Sequence, residues 1–541
     1  MPPTRLRHFL LPLLTLALML PVLALLGAWW PGGPAGVEAL AILREMAATV
    51  LPDYLGTTLW LCLLVTLGVI AVGLSTAAAV TLFDFPGRRW FEWALLLPLA
   101  MPAYVVAYAY TDFLQYSGPL QTGLRAATGW EGRVFPEVRN TGGAAWVLTF
   151  TLYPYVYLLT RAALAERAAH LMEAARLLGA PLARRIREVA LPLARPAVAA
   201  GVALALMETL ADFGVASYFG IQTFTAGIYK AWLAMDNRIA AAQLATVLLG
   251  FVALLLWLEH RSRARLRFVS ARLGRAAGVE AQPVRLQGGQ RLAAWAVCAL
   301  PILMGFVAPV LFMLRPLVGE SAELPWERFW GWAGNSVRLG LLAAVLAVGL
   351  ALLLAYALRR LPDALTRAVV WLASLGYAVP GAVVGVGRLL PVGWVQARWP
   401  EAGPAYWVTA TSLGLVWAYL VRFVAVALQS VQSGYARIPA NLDDSARLLG
   451  SGGWGVLSRV HWPLLRRPVM AATLLVFVDV MKELPATLVL RPFDSDTLAV
   501  VAYQLARDER LGEAALPALA LVLVGLIPVL LLSRTLRSKG S

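Results

Sequence analysis

The stretch EAARLLGAPLARRIREVALPLARPAV, residues 173–198, returns in altered form as DSARLLGSGGWGVLSRVHWPLLRRPV, residues 444–469. Ala-Arg-Leu-Leu-Gly falls at 175–179 and again at 446–450, and Pro-Leu at 192–193 and 463–464. Both copies are polar segments set between long apolar runs, so the fold built by those runs is built twice.

The runs themselves fix the fold class. The 541 residues are 60% hydrophobic, and a bilayer-crossing helix needs about 20 mostly apolar residues. Spans are predicted near 9–30, 57–82, 92–113, 144–163, 196–219 and 241–258 in a first half. A second set follows near 292–314, 335–358, 367–390, 405–429, 468–490 and 514–533. The first run is longer than a secretory signal core, and no small-x-small site closes it, so it is expected to be retained. The segment 260–291 is basic and reads as a cytoplasmic linker, dividing the chain into halves 1–259 and 292–541. An even number of spans separates equivalent points, so the repeat is parallel. GTTLWLCLLVTLGVIAVGL from 56 matches GNSVRLGLLAAVLAVGLAL from 334, and LLLPLAMPAYVVAYAY from 95 matches WLASLGYAVPGAVVGV from 371.

The net charge of +16 follows the same topology. Arg5, Arg7, Arg88, Arg89, Arg184, Arg185, Arg187, Arg359, Arg360, Arg466, Arg467 and the RSRARLRFVSARLGR run from 261 all fall on one side. That is the positive-inside bias and not a nucleic-acid footprint, and it predicts both termini in the cytoplasm. Cys62 and Cys298 lie inside predicted spans, where a disulfide or redox role is not expected. No His, Cys and carboxylate spacing suits a metal site. Lys230, Lys482 and Lys539 follow Tyr, Met and Ser, so a Gly-Lys-Ser/Thr phosphate loop is absent. The chain is therefore not expected to be an enzyme that hydrolyses ATP itself.

Each repeated loop opens with acidic and small residues: Glu173, Ala174 and Ala175 in one, Asp443, Asp444, Ser445 and Ala446 in the other. Acids suit the positive start of a short helix. Gly179 and Gly450 then end it, and Pro192 or Pro463 leads into the next span. The helix would lie along the inner membrane face with its small residues outward. A single such loop could simply rest on lipid headgroups. Two matched copies point instead to a two-fold partner.

Glu-Ala-Ala, three residues, Gly, then Leu-Pro resembles the cytoplasmic loop of binding-protein-dependent ABC importer permeases. The first copy fits at Glu173, Ala174, Ala175, Gly179, Leu191 and Pro192; the second departs, with Asp444 for Glu, Ser445 for Ala and Trp462 before Pro463. The resemblance implies an all-α polytopic membrane protein of the type I importer kind, with about twelve spans as two six-helix repeats. It also implies two P-loop ATPase subunits docked on the loops, ATP and Mg bound by that partner alone, no cofactor on this chain, and a periplasmic solute-binding protein.

Charged residues inside spans default to functional hypotheses. LALMETLADFGVASYFG, 204–220, places Glu208 and Asp212 one turn apart, and VFVDVMKELPATLVLRP, 476–492, places Asp479, Lys482 and Glu483 before Pro485. These read either as an internally neutralised cluster or as contacts along a pathway. Gly214 and Pro485 imply broken helices. MKELPATLVLRPFDSDTLAVVAYQLA, 481–506, together with METLADFGV, 207–215, and the fused twelve-span layout, is similar to the ferric-iron permeases of that superfamily. Tyr104, Tyr108 and Tyr110, near an outer end, read either as interfacial belt residues or as further oxygen donors. The alternatives are thiamine, polyamine, sulfate or phosphonate as cargo, or a proton-coupled secondary transporter.

Overall fold

A computed structural model describes residues 3–29, 36–165, 169–272, 283–319 and 324–537. It is helical apart from two strands of two residues, Phe83–Asp84 and Val284–Arg285, paired in parallel. Residues 273–282 of the predicted linker lie outside the described residues. Its start is not a loop, because the helix Arg238–Arg272 continues through it.

Seven helices among the described residues are long and apolar enough to cross a membrane: Leu51–Leu82, Leu182–Ala211, Arg238–Glu259, Gly289–Val318, Trp326–Arg360, Ser412–Tyr435 and Leu511–Leu531. Two further predicted spans fold as bent pairs, Arg88–Ala100 with Ala103–Thr128 at 88° and Ala364–Ala378 with Gly381–Arg398 at 118°. The bends fall at Pro102 and Pro380. Proline pushes the residue before it out of the helical region, and Met101 (φ −97°, ψ 126°) and Val379 (φ −77°, ψ 119°) are both extended. The remaining three predicted spans are also helical. Leu11–Leu26 is short, Thr141–Ala163 is rich in Thr and Tyr, and Trp462–Lys482 carries Arg466, Arg467, Asp479 and Lys482. Outward faces remain apolar. Only 33% of the most apolar window of Leu51–Leu82 is buried, as suits a helix whose solvent is lipid.

The chain forms two compact units, neither continuous in sequence. One comprises residues 1–45, 228–246 and 325–501. Its centre is the packing of Trp326–Arg360, Ser412–Tyr435 and Trp462–Lys482 on one another. The N-terminal helix Pro3–Leu26 lies along Gly381–Arg398, where Gly387 leaves room for the Pro21 carbonyl and Trp417 Nε1 donates to Ala17 O at 2.8 Å.

The other unit comprises 46–227, 247–324 and 502–541. Leu51–Leu82, Thr141–Ala163 and Leu191–Ala211 form its centre, and Ala308–Gly319 packs on Leu511–Arg537. Small residues let these helices approach closely.

Candidate functional site

The two repeated loops fold alike. Helix Ala169–Leu177 is followed by Leu182–Arg185, and a π-helical turn Ile186–Ala190 runs into Leu191–Ala211. The other copy gives Ala440–Leu448, Gly453–Val456, a π-helical turn Leu457–His461 and Trp462–Lys482. Pro192 and Pro463 follow directly on these π-helical turns, early in the outgoing helices.

The repeated Ala-Arg-Leu-Leu-Gly has a geometric cause. Ala180 N donates to Ala175 O at 3.0 Å and Gly179 N to Arg176 O at 2.9 Å; Ser451 N and Gly450 N repeat this on Ala446 O and Arg447 O at 3.0 and 2.9 Å. This helix-ending motif needs a left-handed residue, and Gly179 and Gly450 have φ of +81° and +80°. Proline, fixed near −65°, cannot adopt that conformation. Gly179→Pro or Gly450→Pro should therefore distort its loop while leaving membrane insertion intact, read as protease sensitivity at 169–190 or 440–461 with unchanged membrane abundance.

Glu173 and Asp444 make equivalent ion pairs along their helices, to Arg176 and Arg447, both at 3.5 Å. Ala174 and Ser445 are exposed, Ala175 is half-buried and Ala446 is buried. The feature that sequence reading missed is apolar. Leu177 and Leu178 are 82% and 88% exposed, and Leu448 and Leu449 are 89% and 86% exposed. Each loop thus presents two bare leucines where its helix ends.

The loops are anchored differently. In the first, Met172, Leu164, Ala190 and Ala194 form a buried apolar cluster with Leu82, Ile186 and Val189 packed on it. In the second, the register positions of Leu164, Met172 and Ala190 are taken by Tyr435, Asp443 and His461. His461 Nε2 donates to Asp443 Oδ1 at 2.9 Å, and its Nδ1 shares a hydrogen bond with the Tyr435 hydroxyl at 3.3 Å. Arg359 Nε donates to Asp443 Oδ2 at 2.8 Å, and its other nitrogens reach Ile438 O and Pro439 O at 2.9 and 3.0 Å. Burial would raise the Asp443 pKa, but the hydrogen bonds from Arg359 and His461 outweigh it and hold the carboxyl below its ordinary value.

The predicted charges within spans sit at helix breaks. Leu191–Ala211 ends at Asp212, and a short helix Gly214–Phe219 follows. Trp462–Lys482 ends at Glu483, and Pro485–Leu490 follows. Each acid caps the helix after it: Asp212 Oδ2 accepts from Val215 N and Ala216 N, both at 3.1 Å, and Glu483 from Ala486 N and Thr487 N, both at 2.9 Å. In each half the broken fifth span meets the bent third. A Cβ on Gly214 would lie 2.6 Å from Tyr104 Cβ, and one on Gly381 would lie 2.7 Å from Glu483 Oε1.

The two acids differ in their counterions. Glu483 is buried and pairs with Arg422 Nη1 at 3.0 Å, a partner the sequence reading did not name. Among the described residues no cation pairs with Asp212. Glu208 stands one turn earlier and is half-buried, as are Asp479 and Lys482, and Lys482 lies within electrostatic reach of Asp479. Among the described residues no group of three or more His, Cys, Asp or Glu gathers as a metal site.

The described residues form an all-α polytopic chain with two glycine-ended polar loops and broken helices in equivalent places, an architecture like that of type I ABC importer permeases. Residues 69–267 match the family described as binding-protein-dependent transport system inner membrane component. That match contains the first loop and ends before the second. The chain is also 26% identical to an Fe(3+)-transport system permease of Haemophilus influenzae, over 89% of this chain and 90% of the relative. A ferric transport system permease of Actinobacillus pleuropneumoniae is 23% identical over 76% of this chain and 61% of its own length. A chain named for 2-aminoethylphosphonate transport in Salmonella typhimurium is 29% identical, over 43% of this chain and 83% of its own. The likeness to ferric permeases first read from residues 207–215 and 481–506 extends in this way over most of the chain.

Proposed function

We propose that this chain forms the membrane pathway of an ATP-driven importer of ferric iron, with both termini and both repeated loops in the cytoplasm. Two copies of a P-loop ATPase subunit dock on the loops, one at 173–179 and one at 444–450. ATP and Mg stay on those subunits, and this chain binds no cofactor. A periplasmic binding protein delivers cargo to outer loops near 114–143, 218–240, 388–404 and 491–513. The halves 1–259 and 292–541, joined at 260–291, act as two repeats that alternate between inward- and outward-open states. Closing of the ATPase dimer pushes on the loops and drives that change.

The observation carrying this reading is the paired leucines, Leu177 with Leu178 and Leu448 with Leu449, exposed at matched places. Contiguous bare apolar side chains mark an interaction site, and their two-fold repetition suits a two-fold partner. The cargo follows from the ferric relatives. The phosphonate-named relative keeps a second cargo open, and thiamine is a third.

The test is radiolabelled ferric uptake in cells lacking the chain, complemented with wild type or with Glu173→Ala/Asp444→Ala. Uptake restored by wild type and depressed in the double variant supports cargo and loops together. No ferric uptake with a well-inserted wild type overturns iron and moves the assay to thiamine and 2-aminoethylphosphonate. Uptake that persists without ATP and collapses with the proton gradient would mark a secondary transporter instead.

A further inference from the structure

Within the compact unit that holds residues 325–501, helix Gly381–Arg398 packs on helix Ser412–Tyr435. Two close approaches fix how they lie. A Cβ on Gly381 would come within 3.1 Å of Arg422 Nη1, and one on Gly414 would run into Arg388 Nη1. The helices are therefore antiparallel, with Gly385 and Ala418 midway between the two approaches. Each approach brings a guanidinium. Arg422 pairs with Glu483 at 3.0 Å, and its Nε has no hydrogen-bond partner. Arg388 is 0% exposed, and among the described residues no carboxylate pairs with it. Its Nη2 reaches Val408 O only at 3.5 Å, and its Nε and Nη1 have no partner. A buried charge is costly unless it is paired. Here two buried cations share one carboxylate.

Between the two guanidinium groups there is room. Gly385 is buried, yet a Cβ added to it would meet nothing within 4 Å. Every other described glycine with such open space is exposed or half-buried. Gly381, Gly385 and Arg388 follow at i, i+4 and i+7, one face of the helix, and span about 10 Å along it. Ala418, itself 0% exposed, offers only a methyl group from the facing helix. The first half has no such arginines. Aligning the bends at Pro102 and Pro380 puts Tyr110 in the place of Arg388, and Tyr110 is satisfied by donating to Met304 O at 2.7 Å. Thr151 stands at the register position of Arg422.

We propose that the gap at Gly385 and Ala418, flanked by Arg388 and Arg422, binds a small oxyanion: a phosphate, a phosphonate or a carboxylate group. Guanidinium N–H groups match the oxygens of such anions in charge and geometry, and an arriving anion gives the second cation its missing counterpart. The gap adjoins the helix break at Glu483, and irregular backbone at membrane depth is tolerated where it lines a cavity. The oxyanion is either a free ion or a group borne by the cargo, as in a phosphonate or a carboxylate chelate of iron. The inference stands on this geometry and does not require the cargo to be iron.

The test uses the full chain in phosphatidylcholine nanodiscs, without ATPase subunits, whose own phosphate sites would add to the signal. Radiolabelled inorganic phosphate and radiolabelled 2-aminoethylphosphonate are dialysed to equilibrium, with nitrilotriacetate and chloride as competitors. Wild type should bind at least one probe saturably at a single site, and chloride should not displace it. Arg388→Met removes an unpaired buried charge and so should not weaken the fold. It should bind at least about 10-fold more weakly, the scale of losing a hydrogen bond to a charged group. Arg388→Lys should keep part of the affinity, and Gly385→Leu, which fills the gap and leaves both cations, should abolish binding. Preference for the phosphonate over phosphate, or displacement by nitrilotriacetate, assigns the oxyanion to cargo; equal binding of both probes without that displacement assigns a free anion. No saturable binding of either probe to wild type overturns the site, and so does wild-type affinity in both Arg388→Met and Gly385→Leu. Ferric uptake in cells is read separately, so either negative result leaves the ferric reading standing.

Discussion

A chain carrying Leu177→Asp and Leu448→Asp reaches the membrane at wild-type abundance and takes up no more cargo than cells lacking it. Both side chains are more than four-fifths exposed, so the fold has little to lose, and exposed substitutions usually change stability by about 0.5 kcal/mol or less. The proposed docking of ATPase subunits has much to lose. A leucine taken from water into a groove contributes about 1.5–3 kcal/mol. An aspartate in the same place carries a charge that must be desolvated without a partner. With one such change on each loop, the ATPase subunits should no longer co-purify with the chain. Co-purification at wild-type stoichiometry would refute the leucine contact. The single variants should weaken retention in unequal degree if the two loops grip with different strength.

Arg359→Met should loosen the second loop and leave the first untouched. Arg359 and Asp443 are both largely buried, at 15% and 11% side-chain exposure, and removing one partner of a buried ion pair typically costs about 3–5 kcal/mol. Residues 440–461 should then become protease-sensitive while 169–190 keep the wild-type pattern. Arg359→Met/Asp443→Leu should recover most of the protection, because no charge is left buried. Acidity offers a second handle. The Asp443 carboxyl is held below its ordinary value in the folded loop. Its contribution is therefore present above the ordinary carboxylate range and disappears as pH falls through the lowered value. The second loop should open under acid conditions that leave the first, anchored by Met172 and Leu164, closed. Simultaneous opening of both would contradict this.

The repeated loop was legible because its glycine is a backbone requirement: a helix ended in left-handed geometry needs Gly179 or Gly450 wherever it occurs. The breaks at Asp212 and Glu483 were legible for a related reason, since Gly214 and Pro485 sit at them. The bends at Pro102 and Pro380 were not, because hydropathy runs unbroken across both and a proline is often tolerated within a span. Arg422 was missed as the partner of Glu483 because the two lie 61 residues apart, and an ion pair across helices leaves no spacing to read. Nor could sequence show Leu177 and Leu448 as bare, since leucines beside an apolar run ordinarily read as buried. Only the surrounding helices decide which leucines have neighbours.

The placement of the N-terminal helix sets the order of manufacture. Pro3–Leu26 leaves the ribosome long before its neighbour Gly381–Arg398, in which Gly387 lies against the Pro21 carbonyl. Until that neighbour emerges, the early helix stays in the bilayer as a solitary passenger. Its composition allows the wait: Leu13, Leu16, Leu23 and Leu26 still face outward in the finished protein, and lipid suits them as well as protein does. The compact unit containing Pro3–Leu26 therefore closes late in translation, after most of the other unit has already been made.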